Sequence, residues 1–127
     1  MTDLIEVKTG DLVGEALAWA VAKAEGLDVL LEPPQYGNPW RVFVRRTGEA
    51  TTRLDRYNPQ EDWSVGGPLI DQYRIGFGLY PDAYFACTGL NYDAGDGSGS
   101  AHLTAACRAI VCAKLGDAVQ VPKELMP

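Results

Sequence analysis

The chain has 127 residues, 46% of them apolar and 22% charged, which is enough to build one hydrophobic core without disulfide or metal staples. Its formal net charge is −6, from 11 Lys and Arg against 17 Asp and Glu; this argues against a sequence-independent grip on nucleic acid, which needs cations against phosphates. No apolar run nears the about 20 residues that span a bilayer, and Met1 to Lys8 carries acids where a secretory signal carries an apolar stretch, so a cytoplasmic protein with no membrane partner and no direct nucleic-acid partner is expected.

Along the chain, Leu4 to Val7 suits a short strand or lead-in. Thr9 is placed to cap a helix over roughly Gly10 to Glu25. Leu12, Val13, Ala16, Leu17, Ala20, Val21 and Ala24 recur there at helical spacing, flanked by Trp19. Gly26 supplies a left-handed C-cap. Leu27 to Leu31 is an edge strand or a loop, because Pro33 and Pro34 after it cannot donate to a ladder. Trp40 to Arg46 alternates, with Trp40, Val42 and Val44 on one apolar face. Arg41, Arg45 and Arg46 read as a solvated strand face. Gly48 and Glu49 suit a turn, and Ala50 to Arg56 is a weaker strand.

Asn58-Pro59 marks a turn. One helical turn is expected around Trp63, then a second short helix opened by Pro68, whose fixed φ suits a first position. Leu69, Ile70 and Tyr73 would be its buried side. Ile75 to Tyr80 and Ala83 to Leu90 read as a hairpin with Pro81 and Asp82 central in its turn. Asn91 to Gly99 is a polar, glycine-rich loop. A last helix follows over about Ala101 to Leu115, with Gly116 as C-cap. Val119 to Pro127 reads as a tail, stopped by Pro122. The elements add up to one α+β domain over residues 1–127: two main amphipathic helices packed on a small, mostly antiparallel sheet. The central pairing would join Trp40–Arg46 to the Ile75–Leu90 hairpin.

Three blocks of residues resemble the phage NinX-like family, a domain of unknown function from phages and prophages. The first is Leu12-Val13-Gly14-Glu15-Ala16-Leu17-Ala18-Trp19-Ala20-Val21-Ala22. The second is Tyr57-Asn58-Pro59, Asp62-Trp63 and Gly66-Gly67-Pro68-Leu69-Ile70. The third is Leu103 to Val111, then Leu115-Gly116-Asp117 and Val121-Pro122. Their order and span make the resemblance specific. The chain departs from the family pattern at Ala101-His102, where a proline often stands, and in the long glycine-rich stretch Tyr92 to Ser100. The resemblance implies a phage or prophage origin and a bacterial cytoplasm, and it implies no chemistry.

Few residues carry chemistry by themselves. His102 is the single histidine, and Cys107, five residues on, does not share its helical face. Cys87, Cys107 and Cys112 form no CxxC pair, so reduced, buried structural thiols are expected. One His and three scattered Cys lack zinc-site spacing. Asp93, Asp96 and Ser98 lack the core and closing Glu of a calcium loop. No catalytic residue, metal or cofactor is therefore assigned. Gly95 to Ser100 resembles an anion cradle before a helix, although no Lys follows and Asp96 would repel a phosphate.

The ligand-binding candidates are Trp63, an aromatic in irregular backbone, with Tyr73 and Arg74 lining the same concavity, and Gly97, Ser98, Gly99 and Ser100 with Arg108 two turns on. The leading functional expectation is a non-catalytic accessory module that binds a host protein, a second copy of itself or a small ligand. A binder of a nucleotide-like anion is the alternative, and a small enzyme using His102 and a Cys comes third.

Overall fold

The computed structural model describes residues 3–80, 83–88, 96–99 and 101–126. In chain order the elements are β1 (Leu4–Lys8), a 3-10 turn (Thr9–Asp11), α1 (Gly14–Ala24), β2 (Val29–Glu32), β3 (Arg41–Thr47), β4 (Thr52–Arg56), α2 (Trp63–Gln72), β5 (Gly76–Tyr80), β6 (Ala83–Cys87), β7 (Asp96–Gly99), α3 (His102–Leu115), β8 (Ala118–Pro122) and a closing 3-10 turn (Lys123–Leu125). The architecture is α+β, with three small antiparallel sheets ordered β1-β8, β2-β3-β4 and β5-β6-β7.

The expected pairing of β3 with the β5–β6 hairpin does not occur. β3 lies between β2 and β4, with Leu31 opposite Val42 and Phe43 opposite Arg56. Those partners are close in sequence, and closing a short loop costs less entropy than closing a long one. The β3–β4 turn is tied by the Gly48 N–H donating to the Thr51 carbonyl at 2.8 Å. The hairpin itself forms, with Phe77 opposite Ala86 and Tyr80 opposite Ala83. Its turn, Pro81-Asp82, lies outside the described residues; of the expected continuation to Leu90, the strand stops at Cys87, Thr88 is not part of it, and Gly89 and Leu90 lie outside the described residues.

α1 and α3 pack together over the core. α1 buries Ala16, Leu17, Ala18, Ala20, Val21 and Ala22, while α3 buries Leu103, Ala105, Ala106, Cys107, Ala109, Ile110 and Val111. Val42 and Val44 of β3 join them, with Trp40 half-buried beside them, as the alternation predicts. α1 closes as expected. Gly26 is left-handed at φ 70°, its N–H donates to Lys23, and the Leu27 N–H reaches back to Ala22.

Four expectations are corrected. Thr9 does not cap α1. It is buried in the 3-10 turn, and its hydroxyl donates to the Gly116 carbonyl at 2.6 Å, so it joins the two ends of the chain. Trp63 and Pro68 belong to one helix, with Pro68 inside it. A Cβ on Gly66 would meet the Pro59 carbonyl and come 2.9 Å from Leu103 Cδ2, so only glycine lets α2 lie this close to the turn before it. The C-terminal segment is not an irregular tail, because Ala118–Pro122 pairs with β1 and Pro122 ends the ladder opposite Leu4. Asp96 to Gly99 is strand, pairing with β6 so that Tyr84 faces Gly99 and Ala86 faces Gly97.

A charged contact fastens α1 to the β2-β3-β4 sheet. Past the end of β4, the Tyr57 N–H donates to the Val42 carbonyl, but the Val42 N–H donates to Glu15 Oε1 at 2.7 Å. The Glu15 carboxylate thus takes the place of a further β4 carbonyl. Arg56 donates to both Glu15 oxygens at 2.7 Å and to the Val42 carbonyl at 3.0 Å.

Candidate ligand-binding site

The local sequence brings Trp63 to the surface. After Asn58-Pro59, the Asn58 carbonyl accepts the N–H groups of Glu61 and Asp62, each at 3.0 Å. Asp62 then caps α2. Its Oδ1 accepts from the Ser64 hydroxyl at 2.6 Å and the Ser64 N–H at 2.9 Å, and these bonds hold its carboxyl below the usual carboxylate range. Trp63 is therefore the first residue of α2, and it is 58% exposed. A tryptophan that exposed departs from the usual preference of large apolar side chains for the interior.

His102 is the first residue of α3, and aromatic rings surround it. Its ring centroid lies 3.9 Å from Tyr84, 4.9 Å from Phe77 in an edge-on arrangement, and 6.5 Å from Trp63. Between the starts of α2 and α3 lies a pocket of about 270 Å³ lined by Gln60, Glu61, Trp63, Tyr84, Ala101, His102 and Leu103. Gln60 is 7% exposed, and neither its Nε2 nor its Oε1 has a hydrogen-bond partner among the described residues. An unmet buried polar group costs about 1–3 kcal/mol. α3 starts at His102, and its N-cap residue, Ala101, makes no side-chain capping bond.

The sequence candidates separate in space. Trp63 lines the pocket. Tyr73 and Arg74 sit at the far end of α2, about 15 Å along its axis. Tyr73 is buried, and its hydroxyl donates to Glu25, which also accepts from Gln72 at 3.2 Å. Burial first, and then Glu25, push the Tyr73 phenol well above its ordinary value. Arg74 is the residue after α2, left-handed at φ 51°. Its N–H donates to Asp71 and the Ile75 N–H reaches back to Ile70. A non-glycine residue in that conformation is strained, so Arg74→Gly is expected to stabilise the protein by about 0.5–1 kcal/mol, read as a raised Tm.

The glycines serve packing. A Cβ on Gly97 would run into the backbone of Ala105 and Ala109 and lie 2.9 Å from the Arg108 carbonyl carbon, and one on Gly99 would lie 2.9 Å from Thr104 Cγ2. β7 is thus laid directly on α3. Arg108 holds it there, donating Nη1 to the Ser98 carbonyl at 2.6 Å and Nε to the Leu12 carbonyl at 3.0 Å. The arginine expected to assist an anion is committed to two carbonyls. Ser100 lies outside the described residues, as do Asn91 to Gly95.

A larger cavity of about 400 Å³ opens between β4 and α2, with Glu25, Arg46, Asp55, Arg56 and Tyr57 on its walls. Its charges satisfy one another: Arg46 pairs with Asp55 at 3.0 Å, Arg56 with Glu15 at 2.7 Å, and Glu25 holds Tyr73. Of these two cavities, the smaller one is lined by a residue, Gln60, whose amide has no partner among the described residues. Of the cysteines, Cys107 is buried, as expected, and burial pushes its thiol up to about 12. Cys112 is half-buried with its thiol 3.5 Å from Asp117, and Cys87 is exposed.

Sequence reasoning did not single out Gln60 or Tyr84 and placed His102 without partners. No spacing rule links residues 60, 84 and 102; only the meeting of the turn before α2 with β6 and the start of α3 does. Among the described residues, no helix is long and apolar enough to cross a membrane. No curated protein matches the chain. The family model described as "Bacteriophage P22, NinX" matches residues 8–114, a span that holds Gln60, Trp63 and His102. The chain belongs to this phage NinX family.

Proposed function

We infer that this phage or prophage protein is a non-catalytic binding module. In this reading it acts in the bacterial cytoplasm, the whole chain working as one domain, and holds a flat group in the Trp63–His102 pocket. One observation carries the reading: an exposed tryptophan stands beside a pocket whose glutamine is buried without a partner among the described residues. Exposed aromatic anchors beside desolvated polar groups are what binding sites use. The pocket, at about 270 Å³, falls just below the about 300–1,000 Å³ of drug-sized sites, which suits one ring or one side chain.

The test is a two-dimensional NMR titration of the intact protein with small flat probes, indole, benzamide and nucleosides among them. The Trp63 indole signal is expected to move with at least one class. Trp63→Ala is expected to weaken that binding by about 5- to 100-fold. It should change stability by less than about 0.5 kcal/mol, as surface substitutions do. Probe shifts that map away from the pocket, or full binding by Trp63→Ala, would sink the proposal.

A further inference from the structure

The face of β3 that buries Val42 and Val44 does not end with them. Two residues on, it carries Arg46, whose register partner across the ladder is Arg53 of β4, and Asp55 stands opposite Val44. Like charges directly opposite one another in a sheet are destabilising, yet two arginines are paired here. Asp55 holds them together: the Nε atoms of Arg46 and Arg53 each lie 3.0 Å from one of its oxygens, with the arginine side chains 47% and 68% exposed. Among the described residues, no hydrogen bond engages the terminal nitrogens of either guanidinium. One carboxylate against two guanidinium groups leaves one positive charge over. Beside the pair, a cavity of about 190 Å³ is lined by Arg46, Thr47, Gly48, Thr51 and Arg53, with no acid on its wall.

The surroundings reinforce that charge. Residues 41–56 hold five Arg against Glu49 and Asp55, a net +3, while the rest of the chain holds six Lys and Arg against 15 acids, a net −9. Arg46 also lines the cavity of about 400 Å³ between β4 and α2, whose walls include Leu27, Val65, Pro68 and Leu69. The acids of that cavity, Glu25 and Asp55, are engaged by Tyr73 and by the two arginines. The two hollows thus meet at one side chain, cationic on one side and with an apolar wall on the other. A carboxylate has two oxygens, which one guanidinium fork fills, whereas a phosphate group has oxygens enough for two forks. We propose that the Arg46–Arg53 pair binds the phosphate of a small organic phosphate whose apolar body lies in the adjoining cavity between β4 and α2. A nucleic-acid strand would bring further phosphates against the acidic remainder of the chain. This site is separate from the Trp63–His102 pocket, and neither depends on the other.

The experiment titrates the intact protein, at constant ionic strength, with inorganic phosphate, phenyl phosphate, benzoate and a short oligothymidine. NMR follows the guanidinium carbon signals of Arg46 and Arg53. Phenyl phosphate is expected to move both signals and to bind about 5- to 20-fold more tightly than inorganic phosphate, because its ring reaches apolar surface. Benzoate should bind about 10-fold more weakly than phenyl phosphate, since it lacks the oxygens for a second fork. Saturating phenyl phosphate should also raise Tm.

Arg53→Gln changes an exposed side chain, so the protein should fold, and phenyl phosphate binding should weaken by about 10-fold or more. Arg53→Lys keeps the charge but loses the planar fork, and it should also bind more weakly than the parent. Silence of both arginine signals toward phenyl phosphate overturns the proposal, as does undiminished binding by both Arg53 variants. Equal binding of benzoate, or binding of the oligothymidine alone, overturns it too. Inorganic phosphate binding as tightly as phenyl phosphate would show that no apolar body enters the cavity and that the ligand class is wrong.

Discussion

Gly97→Ala is expected to destabilise the protein by about 3 kcal/mol or more, since overpacking into well-filled space costs about 1–3 kcal/mol and the neighbours here are backbone atoms that side-chain rotation cannot move. The added methyl would strike Ala105 and Ala109 of α3. Either β7 lifts off the helix or α3 shifts. Lifting β7 also stretches the Arg108 bond to the Ser98 carbonyl and the pairing that sets Tyr84 opposite Gly99. Tyr84 stacks on His102, so the pocket should suffer along with the fold. Thermal and urea unfolding measure the loss, expected as a Tm drop of roughly 10 °C or more. Ser98→Ala is the control: its side chain is exposed and its carbonyl remains, so it should be near neutral. A Gly97→Ala protein as stable as the parent would show that β7 does not rest on α3.

Glu15→Gln comes next in size. The carboxylate accepts from the Val42 N–H and twice from Arg56, with its side chain 17% exposed and that of Arg56 30% exposed. The amide is neutral and accepts at one oxygen where the carboxylate accepts at two, and it turns an NH₂ toward Arg56 or Val42. Hydrogen bonds to charged groups contribute about 1.5–3 kcal/mol; with this partial exposure the lower part of that range is expected. Arg56→Met should cost a similar amount. The double variant should lose less than the sum, with a coupling of about 1 kcal/mol. Strict additivity in that cycle would mean that the two side chains do not act together. The other ion pairs, such as Arg45 with Asp28 and Lys123 with Asp3, are exposed and long at 3.5 and 3.6 Å, and their removal should be close to silent.

Sequence order alone determined the features that depend on neighbours within a turn or two of chain. The apolar stripe placed α1 and α3. Gly26 and Gly116 marked their ends, and both adopt positive φ. Alternation placed the buried face of β3, and the β5–β6 hairpin followed from two short apolar runs. The three blocks that indicated the NinX family lie inside or overlap the matched span except for Leu115-Gly116-Asp117 and Val121-Pro122. Of the candidate site, Trp63 was legible because a tryptophan beside a cap and a glycine pair has no stripe to join.

Tertiary structure decided the rest. Among the described residues it distributed the strands over three separate sheets, and it recruited Ala118–Pro122 to β1 across the length of the chain. It gave Gly97 and Gly99 a packing role and engaged Arg108 with carbonyls. It also set Gln60, Tyr84 and His102 around one pocket. The physical reason is the same in each case. Periodicity and φ requirements are local and are written in adjacent residues, whereas strand partners, close backbone approaches and the satisfaction of buried polar groups depend on which distant surfaces meet.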